Sequence, residues 1–538
     1  MLSARAAFFW RAGALALSLL LVLPILAIGA LALSAGPEIW PHLFATVLPG
    51  MLARTLALSM GVGLLSLLIG TGTAWLTTQC EFPLRRFFTW ALVLPLAMPG
   101  YISAYTYVHV FEYAGPVQSA WRVFFGFARP ADYSFPEIRS LPGAVFVMSL
   151  VLYPYVFLTA RAAFLKLSPH HMEAARTLGR GPWGAFWHVA LPLARPALAV
   201  GVVLAVMEAI NDIGAANFFG VRTLTLGIYT TWLAQGNLAG AAQIAAVMLI
   251  LVFGLIIAEQ KSRAAQRLGL AGRRDAPWQR VELQGIARMG ALIACLLPLA
   301  FGFLLPAGVL LAFALRYPEM ASDESFWLAM TNTLGVAAAA AFATACLGLI
   351  LAYARRQVQS RLVSGAVRMA GLGYALPGTV LGIGLLVPLT GFDNWLSQWL
   401  GTGLLLSGSL FAVMLGYAIR FLAIASGNVE TGLERVTPNL TAAARTLGRG
   451  PWATLLHVHL PLLRPAIGSA LLLVFVDCMK ELPATLILRP FDFETLATLV
   501  YQLASLEQLE QSALPALAIV AAGVLPVILI SRQMGRAR

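Results

Sequence analysis

Six polar residues sit where their neighbours make them costly. Glu208, Asn211 and Asp212 close one long apolar run, and Asp477, Lys480 and Glu481 close another 269 residues later. In helices, spacings of three and four put each trio on one face. Ionisable groups inside lipid usually face a bundle interior or a wet cavity, so both trios are candidates for a translocation path or its outer gate. The competing reading is a structural cluster in which Lys480 neutralises a nearby carboxylate. Four carboxylates against one amine favour a cation, and hard cations prefer oxygen ligands.

Other chemistry is excluded or weak. Tyr101, Tyr105 and Tyr107 are expected as interfacial anchors rather than phenolate ligands. His170, His171, His457 and His459 lack a surrounding ligand cluster, and no metal site is assigned. Cys80, Cys295, Cys346 and Cys478 are scattered among apolar runs and read as small packing residues, without a disulfide or zinc pattern. The sequence holds no HExxH, nucleophile elbow or Cys/His pair. Of its three lysines, Lys166, Lys261 and Lys480, none follows a glycine, so it cannot carry a standard P-loop. The chain is not read as an enzyme, and no catalytic residue is assigned.

The elements that must hold these residues are membrane helices. The sequence is 59% hydrophobic and 11% charged, against about 25% charged in soluble proteins. Its net charge of +13 lies in short loops between apolar runs, which the positive-inside rule explains better than nucleic-acid binding. Twelve spans are expected near 12–34, 50–76, 87–108, 142–165, 193–215, 240–260, 288–315, 328–353, 366–390, 404–426, 462–484 and 512–531. The first run is too long for a cleaved signal and is read as a retained span. Basic residues then fall mostly on one side, with both termini cytoplasmic. Gly61, Gly63, Gly70 and Gly72 fit close helix packing in span two.

The chain is also duplicated. Ala175–Trp183 (ARTLGRGPW) recurs as Ala444–Trp452, and Leu191-Pro192 recurs as Leu460-Pro461, at the same offset of 269. Arg54-Thr-Leu56 resembles Asn332-Thr-Leu334, and Pro99-Gly100 matches Pro377-Gly378, at an offset of 278. The expected fold is all-α, with two parallel six-span repeats over 1–265 and 286–538 and a cytoplasmic linker over 266–285. Each repeated segment (168–192 and 437–461) lies between spans four and five. Ser168-Pro169 predicts a helix start for a helix over 170–178, and Gly179 predicts its stop. Gly181-Pro182 predicts a second short helix, Trp183–Val189, before span five. Two matched polar loops on one side fit docking knobs for a partner present twice, since mere connections diverge fast.

At this point the sequence resembles a family. Glu173-Ala174-Ala175, with Arg176, Gly179, Val189 and Leu191-Pro192, is similar to the EAA loop of ABC-type importer permeases. Ala443, Ala444, Arg445, Gly448, Val458, Leu460 and Pro461 repeat it, but Ala442 replaces the acidic first position, which makes docking asymmetric if Glu173 contacts its ATPase. The fused layout, Tyr101–Gln118, Asn211–Gly214 and Lys480–Thr485 resemble fused ferric-iron permeases. Thiamine and aminoethylphosphonate permeases share the architecture. The resemblance implies a bacterial inner (plasma) membrane location, two copies of a cytoplasmic ABC ATPase, and an extracytoplasmic (periplasmic) substrate-binding protein. ATP and Mg would be on the ATPases, with no cofactor on this chain and no nucleic-acid partner. An ion-driven secondary transporter, the other transport reading, would not need two docking knobs.

Overall fold

A computed structural model describes residues 4–34, 39–167, 177, 179, 181–269, 280–358, 360–401 and 405–536. Among these, eleven helices are long and apolar enough to cross a membrane, or up to twelve if one bent pair forms a span. Helices satisfy every backbone group internally, which lipid requires. Large apolar side chains point outward, with Met60 75%, Ile250 74% and Ile286 93% exposed. Buried hydroxyls turn back onto their own helix instead. Thr55 donates to the Met51 carbonyl (2.8 Å) and Thr344 to that of Ala340 (2.6 Å). Among the described residues the one strand pairing is parallel and two residues long, Cys80–Glu81 with Val281–Glu282. It ties the end of the linker region, where Glu81 also meets Arg85 (3.1 Å) and Arg280 (3.5 Å).

The chain forms two compact units. The first comprises Met1–Trp40, Ile228–Leu249 and Asp323–Leu499, and the second Pro41–Gly227, Ile250–Ser322 and Val500–Arg538. These units cut across the sequence halves 1–265 and 286–538. In the first unit the opening span, Ala4–Ser34, packs on Glu324–Val358, Arg361–Ala370 and Gly378–Leu400 of the second repeat. In the second unit the opening span of the second repeat, Gly285–Arg316, packs on the first repeat. There Tyr107 donates to the Phe301 carbonyl (2.6 Å).

Several spans are broken where continuous helices were expected. Run 87–108 divides into Arg85–Ala91, a tight turn Leu94–Ala97 and Gly100–Phe111, with a 91° bend at Pro99-Gly100. Run 366–390 likewise divides into Arg361–Ala370, Gly371–Ala375 and Gly378–Leu400. Proline explains both breaks, because it drives the preceding residue out of the helical region; Met98 and Leu376 are extended, at ψ 113° and 128°. Runs 193–215 and 462–484 end early, at Asn211 and Met479, and short helices Ile213–Phe218 and Pro483–Leu488 follow. Tyr101, Tyr105 and Tyr107 are buried on Gly100–Phe111 rather than placed at an interface. Bending the span turned that face into the unit's interior.

The glycines of span two do pack closely, except Gly72. A Cβ on Gly70 would lie 2.7–2.9 Å from Val156, Phe157 N and Tyr153 O, whereas Gly72 faces open space. Gly348, the repeat equivalent of Gly70, would bring a Cβ within 2.9 Å of Ser426 N. Gly70→Ala and Gly348→Ala are therefore expected to lower the unfolding midpoint in detergent by roughly 3 °C or more, as backbone must move. Gly72→Ala should leave the midpoint unchanged or raise it slightly, because alanine favours helix.

Candidate functional site

Each unit carries one repeated segment and one carboxylate at a helix break. Glu173, Ala174, Ala175 and Arg176 lie outside the described residues, as does most of the helix expected over 170–178. The second copy is described, with a helix over Pro438–Thr446 that carries Ala443 and Ala444. Both stop glycines have the predicted left-handed backbone, Gly179 at φ +77° and Gly448 at φ +75°. The expected second short helix is not separate. Pro182–Ala185 runs through a π turn, Phe186–Ala190, straight into Leu191–Asn211. Pro451–Thr454, the π turn Leu455–His459 and Leu460–Met479 do the same. Pro192 and Pro461 lack the N–H for the next helical bond, and the turn widens just before them: Leu191 N–H donates to Phe186 O and Leu460 N–H to Leu455 O. Each segment is thus the end of a 29-residue helix, Trp183–Asn211 or Pro451–Met479.

The second segment is held firmly. Tyr353 donates to the Pro451 carbonyl (2.9 Å), and its ring lies 5.4 Å from that of buried His459. His459 Nε2 meets the Thr441 hydroxyl at 3.0 Å, and Trp10 covers both Tyr353 and Trp452. The first segment rests on an apolar contact, Trp75 against Phe186 at 4.9 Å. Trp183 and Trp452 remain 67% and 57% exposed.

At the far end of these long helices stand the charged trios. The helices end before the trios are complete, so neither trio lies on one helix face. Asp212 begins the next helix instead, and its Oδ1 accepts from Ala215 N–H (2.8 Å). It also accepts from the backbone of Gly214 and of Tyr101, at the start of the Gly100–Phe111 helix. A Cβ on Gly100 would lie 2.1 Å from Asp212 Oδ2, so only glycine permits this approach. Glu481 repeats the arrangement: it accepts from Ala484 N–H and Thr485 N–H (both 3.1 Å) and from the Thr485 hydroxyl (2.9 Å). A Cβ on Gly378 would lie 2.7 Å from its Oε1. In both units a carboxylate from the end of span five seals the Pro-Gly break in span three. Lys480 pairs with Asp477 at 2.9 Å, as the structural reading supposed. Glu208, Asn211, Asp477 and Lys480 are half-buried.

Sequence reasoning missed Arg420, which meets Glu481 at 3.5 Å inside the Leu410–Glu434 helix. A lone arginine in an apolar run was its signal. Counting forward from the aligned helix caps Ser409 and Ser140 gives Val151 as its equivalent, so the first repeat has no cation at that position.

Comparison with known proteins agrees with the duplication. The family described as binding-protein-dependent transport system inner membrane component matches residues 66–260 and 345–536. The chain is 25% identical over 502 residues to the Fe(3+)-transport system permease protein FbpB 2 of Haemophilus influenzae, covering 91% of each. It is 22% identical over 460 residues to the ferric transport system permease protein FbpB of Actinobacillus pleuropneumoniae, covering 81% of this chain and 64% of that one. The molybdenum transport system permease protein ModB of Escherichia coli is 29% identical over 210 residues, 38% of this chain and 88% of that one.

Arg420 and Glu481 form a buried pair whose single loss strands a charge. Arg420→Leu is expected to cost about 3 kcal/mol, and Arg420→Leu with Glu481→Gln less than the two single changes combined. Denaturation in detergent of all three variants measures the coupling.

Proposed function

The chain belongs to the family of binding-protein-dependent transport system inner membrane components, and from that membership we propose that it is the fused two-half permease of an ATP-driven importer of ferric iron. It is a multi-pass inner-membrane protein. The observation that carries the reading is the twin segment, 181–192 and 450–461, continuous in each unit with a long span and preceded by a glycine turn at 179 or 448. Two copies of a cytoplasmic ABC ATPase would grip these segments, with ATP and Mg bound there. An extracytoplasmic binding protein would deliver the substrate. Both termini are cytoplasmic in this reading, because the basic loops lie on the side of the docking segments.

Ferric iron is favoured over thiamine, aminoethylphosphonate or molybdenum by the ferric relatives, whose similarity runs along nearly the whole chain. Of the charged trios, Glu208, Asn211, Asp477 and Lys480 are proposed to line the path. Asp212 and Glu481 act there chiefly through the helix ends they hold. Half-buried carboxylates can receive a cation without enclosing it, as transport requires.

Three outcomes are expected. Gly179→Val or Gly448→Val, forcing a branched side chain into a left-handed position, should abolish co-purification with the ATPase while the chain still inserts. Iron uptake in cells should fall to background when the chain is deleted, with thiamine uptake unchanged. Glu208→Gln combined with Asp477→Asn should cut that uptake severalfold with ATPase assembly intact, and normal uptake would refute the path assignment.

A further inference from the structure

The second unit has a positively charged cavity at the end away from its docking segment. It encloses about 390 Å³ and is lined by Arg54, Arg139, Ser140 and Arg222, among others. Its place follows from helix packing. The Leu48–Gln79 and Leu141–Phe164 helices run parallel, because Gly61 meets Val145 and Gly70 meets Val156. Leu191–Asn211 runs the other way, because Gly63 meets Val206 and Gly201 meets Val156. Arg54 and Arg139 therefore stand at the starts of two helices, and Arg222 beyond the finish of the third. The docking segment begins that third helix, so it lies at the opposite end.

Of the three guanidiniums, Arg139 is paired with Glu112 at 2.8 Å. Arg54 and Arg222 are exposed and, among the described residues, have no acidic partner. The second repeat shows what this place contains when it is closed. Thr55 accepts from Leu224 N–H (3.0 Å), and Thr333 accepts from Leu496 N–H (2.8 Å), which aligns Arg54 with Asn332 and Arg222 with Glu494. There Asn332 donates to the Glu494 carbonyl (3.0 Å), and the Glu494 carboxylate pairs with Arg489. The second repeat thus supplies its own carboxylate where the first presents open arginines.

We infer that this arginine cavity receives acidic side chains of the extracytoplasmic binding protein, and that docking is anchored on the first repeat. The inference rests on the importer reading. Guanidiniums suit bidentate carboxylate recognition, and a charged rim acts mainly on encounter and on salt dependence.

The test uses the chain with its ATPase in vesicles and follows ATP hydrolysis as iron-loaded cognate binding protein is titrated. Arg54→Gln with Arg222→Gln should raise the half-maximal binding-protein concentration roughly tenfold. It should also flatten the salt dependence, with basal and saturated rates unchanged, and Arg54→Glu with Arg222→Glu should shift it further. The same shift in phosphatidylcholine vesicles and in vesicles containing phosphatidylglycerol is expected. An unshifted half-maximal concentration, or a shift confined to anionic vesicles, which would mark a lipid-headgroup site, overturns the inference. No stimulation of the unaltered chain at all would refute the importer reading itself, and this inference with it.

Discussion

A helix that stops inside a bilayer leaves backbone N–H groups with no water to bind, and each unmet group costs several kcal/mol. This chain stops helices there repeatedly, at Pro99-Gly100, Pro377-Gly378, Asn211 and Met479. What makes the breaks tolerable is one interaction made twice. A single carboxylate, Asp212 or Glu481, stands at two helix starts at once, accepting from the helix that follows it and abutting the glycine that begins another. The negative charge also suits the positive end of each helix. Proline creates the break, glycine leaves room for the acid, and the acid closes it, so the three residue types form one device.

The repeats share that device but differ in how they neutralise it. Glu481 has Arg420, whereas the first repeat has Val151 at the equivalent position, and Asp212 accepts from the backbone N–H of Ala215. The same asymmetry recurs at both ends of the units. Around the repeated segments, buried His459 and Tyr353 correspond to Ala190 and Trp75. On the opposite end, Glu494 corresponds to Arg222. A duplication that began as two equal halves has kept its mechanical framework and specialised its polar contacts. At these positions the second repeat carries internal pairs that the first lacks.

Much of this was legible in the sequence, for definable reasons. Span positions followed from apolar runs, because lipid leaves helices few alternatives. The duplication and the glycine turns at 179 and 448 followed from local spacing, since a left-handed residue is a local demand. The path trios were only half legible. Their sequence offsets were right, but helical periodicity assumes that the helix continues, and here it ends at the residue concerned. Arg420, Gly100 and Gly378 act through contacts far apart in the chain, which no local period records. The interleaving of the two units was equally hidden, because Ala4–Ser34 has the same apolar pattern whichever repeat it packs on.

The continuity of the long span five helices gives these observations a mechanical sense. Each runs 29 residues, about 43 Å at 1.5 Å per residue, from just beyond the glycine turn to just short of the carboxylate at the broken helices. A displacement applied at Trp183 or Trp452 therefore reaches Asp212 or Glu481 through one rod rather than through a chain of loops. Both rods carry a π turn within their first turns, beside the repeated segments. Pro196 and Pro465 stand near the middle of the same helices, a second irregular point in each. Two discrete arrangements of such rods, rather than continuous bending, would be the natural way for force at one face to change access at the other.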